Sequence, residues 1–197
     1  SPYAASKRGG EEAAVEAFAA DPGRLTIIRP AAIYGPGDLE TLLIFKAAFW
    51  PFVPLAGRAG GRVALIHVTD AAEAVAALAL RTADSPAVYE LADQTPAGYG
   101  LAEIAMRAAR AVGRQPRYFR IPDGILKRAG AVADLLGFVL DRPRAFSRGK
   151  VRELLHPDWS VRPDALPPAA VWRPAIPLDQ GFADTVLWYR RRRWLRN

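Results

Sequence analysis

The feature that most constrains the fold of this sequence is the alternation of short apolar runs with longer helix-forming segments. The runs occupy residues 25–28, 63–68 and 88–92. The first, Leu-Thr-Ile-Ile, is short, rich in β-branched residues and bounded by glycine and proline, which is the pattern of a buried parallel strand. Strands of this kind separated by helices predict an α/β fold with a parallel sheet.

Helix boundaries are indicated by residues that suit helix ends. Helices are predicted over residues 1–20, 71–81 and 101–112. Ser1 suits the N-cap and Pro2 the first position of the first helix. Asp70 and Glu73 have the spacing of a capping box, which predicts that the second helix begins directly after Asp70.

The first predicted helix carries a tyrosine and a lysine four positions apart, Tyr3 and Lys7. Residues at this spacing are neighbours on one helix face, so the ammonium group is expected close to the phenol. A tyrosine that exchanges a proton near neutral pH needs its pKa lowered from about 10, which takes about 4 kcal/mol. One positive charge at about 4 Å, with an effective dielectric constant near 20, supplies that energy. The pair therefore has the spacing that Tyr/Lys acid–base chemistry requires.

Composition excludes several classes of protein. The 197 residues are 51% hydrophobic with mixed charge, which is enough to bury a substantial core. The sequence has no cysteine, which excludes disulfides and thiolate metal sites and agrees with a reducing compartment, so a cytoplasmic location is predicted. The most apolar stretch, residues 42–55, is interrupted by Lys46, Pro51 and Pro54, so no membrane span is predicted.

The net charge of +7 comes in good part from arginine, with a cluster at residues 190–193 beside Trp188 and Tyr189. Basic residues interleaved with exposed aromatic residues are typical of nucleic-acid binding. The preferred interpretation is an amphipathic last helix whose aromatic residues pack on the core while its arginines face water. No nucleic-acid partner is therefore predicted. A further interpretation is that some of the arginines bind an anionic substrate.

Four short motifs follow one another along the chain. They are Y-x-x-x-K at Tyr3 and Lys7, R-P-x-x-I-Y-G-P-G-D from residue 29, I-H-V-x-D from residue 66 and Y-E-L-A from residue 89. In this order and approximate spacing they resemble the extended short-chain dehydrogenase/reductases, in particular the NAD-dependent epimerase/dehydratase family. Beyond about Pro122 the resemblance rests on general layout and on residues 172–189, which look like the family's C-terminal docking segment.

The resemblance implies an enzyme with NAD or NADP as cofactor and a small-molecule substrate. Tyr3 would be the general acid/base that exchanges a proton with a substrate oxygen while hydride moves to or from the nicotinamide. Lys7 would lower the pKa of Tyr3 and hydrogen-bond the nicotinamide ribose, so both residues would contact the cofactor. Pro30, Ala31 and Ile33 would contact the nicotinamide ring and its amide, at the strand exit where ligands gather in open α/β sheets.

Three residues are predicted to bind substrate: Tyr34, Arg58 and Arg62. Nucleotide-sugar members of the family often place an arginine just ahead of the I-H-V strand to hold a diphosphate. Arg62 lies about one residue early for that role, and Arg58 is a second candidate. Tyr34 is expected either to line the pocket or simply to pack. Residues 44–53 form either a lid over a less polar substrate or a helix and turn packed on the core, so epimerase, dehydratase and reductase activities all stay open.

The family's N-terminal unit, whose glycine-rich turn holds the cofactor pyrophosphate, has no counterpart in the sequence. The glycine cluster at residues 57–61 precedes a strand and is interpreted as a turn. The sequence is therefore expected to be the C-terminal portion of a longer enzyme and inactive alone. The predicted fold is α/β: residues 1–96 form the C-terminal part of a Rossmann-like parallel sheet, and residues 97–197, with help from residues 39–62, form a small mixed α/β substrate lobe.

A second class of function stays open, a non-catalytic relative that keeps the fold for binding or assembly. Gly9 and Gly10 in the first helix suggest close helix approach, and by resemblance this helix would form a homodimer interface. His67, between aliphatic residues at a strand end, is interpreted as structural. His156 stands beside Pro157 with no second histidine or carboxylate pair at metal-ligand spacing, so no metal site is predicted.

Overall fold

The computed structural model describes residues 2–56, 60–80, 87–129, 131 and 148–195. Its earlier elements are α1 (Pro2–Ala17), β1 (Thr26–Pro30), β2 (Ala32–Tyr34), α2 (Leu39–Ala47), β3 (Phe52–Leu55), β4 (Arg62–Val63), β5 (Leu65–His67), α3 (Val68–Ala79) and β6 (Ala87–Leu91). Its later elements are β7 (Tyr99–Gly100), α4 (Leu101–Ala111), β8 (Arg117–Arg120), α5 (Arg148–Leu154), β9 (Asp158–Trp159) and α6 (Leu178–Arg191). Residues 123–129 are also helical.

Parallel strand pairs form the centre of the molecule. β1 runs parallel to β6, and β2 runs parallel to β5. Backbone hydrogen bonds from Ala31 N to Leu91 O (2.8 Å) and from Asp93 N to Leu65 O (2.7 Å) extend this strand network. The predicted α/β class with parallel strands is therefore confirmed.

Smaller sheets join distant parts of the chain around this centre. β3 pairs in parallel with β8. β4 lies between β7, to which it is antiparallel, and β9, to which it is parallel. These pairings bring residues 52–55 and 62–63 against the second half of the chain, and β4 shapes one side of the site described below.

The predicted strand over residues 63–68 is wrong in its bounds. The chain forms β4 and β5 there, in two different sheets, and Val68 already begins α3. The predicted capping box is also wrong, because the N-cap of α3 is His67, whose Nδ1 accepts a hydrogen bond from the Thr69 amide at 3.3 Å.

Asp70 ties α3 to the C-terminal segment instead of capping the helix. Its side chain is fully buried, and its two carboxylate oxygens accept hydrogen bonds from the backbone amides of Ala175 (3.1 Å) and Ile176 (3.0 Å). Glu73, the other half of the predicted box, is exposed. The local spacing was right for a cap, but a distant segment supplies better donors to the buried carboxylate.

The largest core cluster packs α2, α4 and α6 together and is rich in aromatic rings. Phe45 of α2 is fully buried and lies 5.1 Å, edge to face, from Phe182 of α6. Of the two interpretations of residues 44–53, packing on the core is therefore confirmed for Phe45. In α6 Tyr189 is buried, Trp188 is half-buried and residues 190–193 are exposed, which confirms the amphipathic last helix.

Gly181 of α6 allows the helix to lie directly on the ring of Tyr34. A Cβ added at Gly181 would fall 2.2 Å from the Tyr34 hydroxyl oxygen. Alanine in a helix interior normally stabilises by about 1 kcal/mol relative to glycine. Here the ring is held between Phe182 and His67 (centroids 5.1 and 5.4 Å away), so we expect Gly181→Ala to lower the free energy of unfolding by about 2 kcal/mol in urea titrations.

The matched control is Gly10→Ala in α1, where an added Cβ meets nothing within 4 Å. This control is expected to be neutral or stabilising. A Gly181→Ala protein as stable as the wild type would show that the ring of Tyr34 moves aside freely.

Among the helices of the described ranges, none has both the length and the apolar character needed to cross a bilayer.

Candidate active site

A cavity of about 960 Å³ lies at the carboxyl end of β1. Its walls are side chains from residues 4–12 of α1, from residues 29–32 between β1 and β2, and from residues 61–64 around β4. The lining is completed by Leu101, Gly149, Arg152, Glu153, His156 and Trp159. In open α/β sheets ligands bind outside the carboxyl ends of the strands, so this cavity is the candidate active site.

The helix α1 presents the predicted lysine to this cavity. Ala4 and Lys7 both line it, and α1 is helical from Pro2, so positions 3 and 7 lie on one helix face as the spacing predicted. The side chain of Tyr3 lies outside the described residues. The catalytic roles of Tyr3 and Lys7 therefore stay predictions.

An ion pair fixes α1 beside β1. Arg29 donates from Nε to Glu11 Oε2 at 3.0 Å and makes a second hydrogen bond to Glu11 Oε1. This hydrogen bonding from Arg29 lowers the pKa of Glu11. Sequence reasoning missed the pair, because 18 positions separate the two residues and no local spacing links them. Its consequence is that Lys7 and the end of β1 face the same cavity.

The residues of the strand exit that were predicted to bind cofactor (Pro30, Ala31 and Ile33) or substrate (Tyr34) divide into two sets. Pro30 and Ala31, at the end of β1, line the cavity. Ile33 is 44% exposed and Tyr34 is only 1% exposed, and neither belongs to the lining that the described residues form. Contact with cofactor or substrate is a prediction for all of them.

Arg62 reaches the cavity but already has partners. Its guanidinium donates from Nε to the Ala97 carbonyl at 2.6 Å and makes a further hydrogen bond to the Gly98 carbonyl. Gly98 has a positive φ of 71° and lies against β4, where an added Cβ would fall 2.7 Å from the Ala64 amide nitrogen. Arg58, the other arginine predicted to bind substrate, lies outside the described residues.

Residues after α5 form a wall that the sequence did not reveal. His156 Nδ1 accepts a hydrogen bond from the Asp158 amide at 3.2 Å, and the rings of His156 and Trp159 lie 4.5 Å apart. The Trp159 indole nitrogen donates to the Glu153 carbonyl at 3.1 Å. These residues reach the cavity because β9 pairs with β4, and the 96 positions between Arg62 and Asp158 leave no local signal. In the described part of the chain no group of three or more His, Cys, Asp or Glu residues could hold a metal ion.

His67 and Tyr34, which are register partners at the ends of β5 and β2, are buried. Burial lowers the pKa of His67 and raises the pKa of Tyr34, so His67 stays neutral and Tyr34 stays protonated near neutral pH. The imidazole caps α3 through Nδ1, which confirms its structural interpretation. Both shifts move these groups away from exchanging protons at neutral pH.

The fold is an α/β fold of the dinucleotide-binding type, with a candidate ligand site at the carboxyl end of a parallel strand. Comparison with known proteins agrees. Residues 1–92 match the model of the NAD dependent epimerase/dehydratase family. The predicted family is confirmed over these residues.

One curated relative is similar along nearly the whole chain. It is the ceramide reductase of Caulobacter vibrioides (strain NA1000 / CB15N), which is 45% identical over 194 residues, covering 98% of this chain and 58% of the relative. The chain thus spans little more than half the length of this relative.

Solved structures show the same fold at low sequence identity. One is the dTDP-glucose 4,6-dehydratase of Bacillus anthracis str. Ames in complex with NAD, with a TM-score of 0.64 at 18% identity. The aligned region covers 97% of this chain and 52% of the dehydratase chain. The UDP-glucose 4-epimerase of Bifidobacterium longum, in complex with NAD+ and UDP, has a TM-score of 0.64 at 18% identity, with coverage of 96% and 55%.

Proposed function

We propose that this chain is the substrate-side part of an NAD(P)-dependent reductase that acts on a ceramide-like lipid. The observation that carries the proposal is the cavity in which Lys7 faces the strand exit at Pro30 and Ala31. The 45% identity to a ceramide reductase favours reduction over epimerisation or dehydration, and a lipid over a nucleotide sugar.

The residues around the cavity fit the nicotinamide end of a dinucleotide. Ala4, Ala31 and Ala32 have small side chains that leave room for a flat ring beside Lys7. When bound there, NAD(P)H supplies hydride to the substrate carbonyl carbon. In the proposed mechanism Tyr3 donates its phenolic proton to the carbonyl oxygen, which becomes the hydroxyl of the product. Lys7 favours the resulting phenolate and binds the ribose.

Two features of the site support a substrate less polar than a nucleotide sugar. Val63, Leu101 and Trp159 contribute apolar surface to the cavity. The guanidinium of Arg62 already binds two backbone carbonyls, so fewer of its donors are free for a diphosphate.

We propose that the chain is divided into the two parts that were predicted from the sequence. Residues 1–96 would belong to the cofactor domain, and residues 97–197, with residues 39–62, would shape the substrate cleft. The pairing of β3 with β8 and of β4 with β9 supports this grouping. Gly9 and Gly10 leave an open surface on α1, which supports the proposed homodimer contact.

The test is turnover by the full-length protein, with NADH and NADPH, of a keto derivative of ceramide. We expect one equivalent of cofactor to be oxidised for each secondary alcohol formed, with mass spectrometry identifying the alcohol. Turnover of a UDP-sugar instead would contradict the lipid assignment. Cofactor binding without turnover of either would favour the non-catalytic alternative. The chain of residues 1–197 alone is expected to show no fluorescence transfer from its five tryptophans to NADH.

A further inference from the structure

The outer face of the β3–β8 pair is an exposed apolar surface. In this register Phe52 lies opposite Arg117 and Pro54 lies opposite Phe119. Side chains alternate across a strand and register partners share a face, so these four residues lie on the same side of the pair. Phe52 is 57% exposed and Phe119 is 51% exposed.

The opposite face of the same pair is turned toward the core, which identifies the outer face unambiguously. Val53 is buried, and the Tyr118 hydroxyl donates to the Ala105 carbonyl of α4 at 3.1 Å. The pair therefore has one packed face and one face on which the described residues place no covering element over Phe52 and Phe119.

One further exposed apolar residue lies close to this surface in the chain. Trp50, two residues before β3, is 58% exposed. We call Trp50, Phe52, Pro54 and Phe119 the apolar face.

The charges close to this face in the chain are mostly positive. The basic residues are Lys46 on α2, Arg114, Arg117 and Arg120 in or next to β8, and Lys127 and Arg128 in the following helical segment. Glu40 and Asp123 are the acidic residues of the same segments. Arg114 also lies over the ring of Phe49, 5.0 Å from its centroid.

We propose that the apolar face docks on the surface of an anionic lipid bilayer. Apolar side chains accompanied by lysine and arginine in the same segments are the recognition chemistry of a membrane interface, where tryptophan and phenylalanine enter the headgroup region while cations bind acidic lipids. Charge complementarity selects this occupant over a second copy of the chain, since a two-fold contact would bring like charges together. The proposal concerns peripheral docking and does not depend on the proposed reductase activity.

The experiment is flotation of the full-length protein with vesicles of phosphatidylcholine alone or with about a third phosphatidylglycerol. We expect binding to the anionic vesicles only, weakening as salt is raised from about 0.1 M toward 1 M. The double variant Arg117→Gln/Lys127→Gln should bind about 30-fold more weakly, because each basic residue near an anionic surface contributes about fivefold. Its matched control, Arg24→Gln/Arg191→Gln, removes the same charge elsewhere and should bind as the wild type does.

A second pair of variants tests the apolar contribution. Phe52→Ser/Phe119→Ser changes two side chains that are already half-exposed, so folding should survive, and circular dichroism checks this. This variant should lose most vesicle binding, whereas Val75→Ser on the exposed side of α3 should not. No binding to anionic vesicles, or equal loss in both charge variants, would overturn the proposal. Self-association or nucleic-acid binding in place of vesicle binding would also overturn the proposal, if the apolar variant leaves that binding unchanged.

Discussion

Replacing Tyr3 with phenylalanine is expected to lower kcat/KM of the full-length protein about a thousandfold. The change removes only the hydroxyl that would protonate the substrate oxygen, and general acid–base groups typically contribute factors of this order. Initial rates with NADPH and the keto lipid measure the loss. Tyr89→Phe, the same chemical change in β6, is the matched control and should keep most of the activity. Unchanged turnover of Tyr3→Phe would remove Tyr3 from the mechanism.

Lys7→Met separates the proposed electrostatic role from simple packing. In the direction of alcohol oxidation, activity should rise with pH as the Tyr3 phenol ionises. Without the neighbouring ammonium the phenolate is less favoured, so the rising limb of the pH profile should move to higher pH in Lys7→Met. A Lys7→Met profile that keeps its midpoint would show that Lys7 acts only by positioning.

Elements whose signal is local were predictable from the sequence. The helix predicted over residues 101–112 is α4 (Leu101–Ala111), and the strands predicted at residues 25–28 and 88–92 are β1 (Thr26–Pro30) and β6 (Ala87–Leu91). In each case the apolar pattern and the flanking breakers lie within the element itself. The parallel class of the sheet followed from the same runs, because strands apolar along their whole length need both faces covered.

Features created by contacts between distant segments were not predictable. The wall formed by His156 and Trp159 depends on the pairing of β9 with β4, and the anchoring of α1 depends on the pair between Glu11 and Arg29. Neither contact has a spacing that a single sequence reveals. Only part of the candidate site was therefore predictable. The side formed by Lys7 and the end of β1 belongs to sequence motifs, whereas the wall formed by His156 and Trp159 does not.

Asp70 has the local spacing of a helix cap but accepts its hydrogen bonds from a distant segment. Asp70→Ala is expected to lower the free energy of unfolding by about 3 kcal/mol. The substitution removes the acceptor of both part-buried hydrogen bonds from Ala175 and Ile176, and a hydrogen bond to a charged group contributes about 1.5–3 kcal/mol. Asp70→Asn should lose less, because its amide keeps one acceptor oxygen. Urea unfolding of the three proteins measures the order.

Glu73→Ala is the control that separates this contact from the capping box. Glu73 is exposed, so its replacement should change stability by less than about 0.5 kcal/mol. If the pair instead formed a capping box, both alanine variants would fray α3 and lose comparable stability, since each side chain would satisfy one amide of the helix N-terminus. A large loss for Asp70 beside a negligible one for Glu73 is the result that only the long-range contact explains.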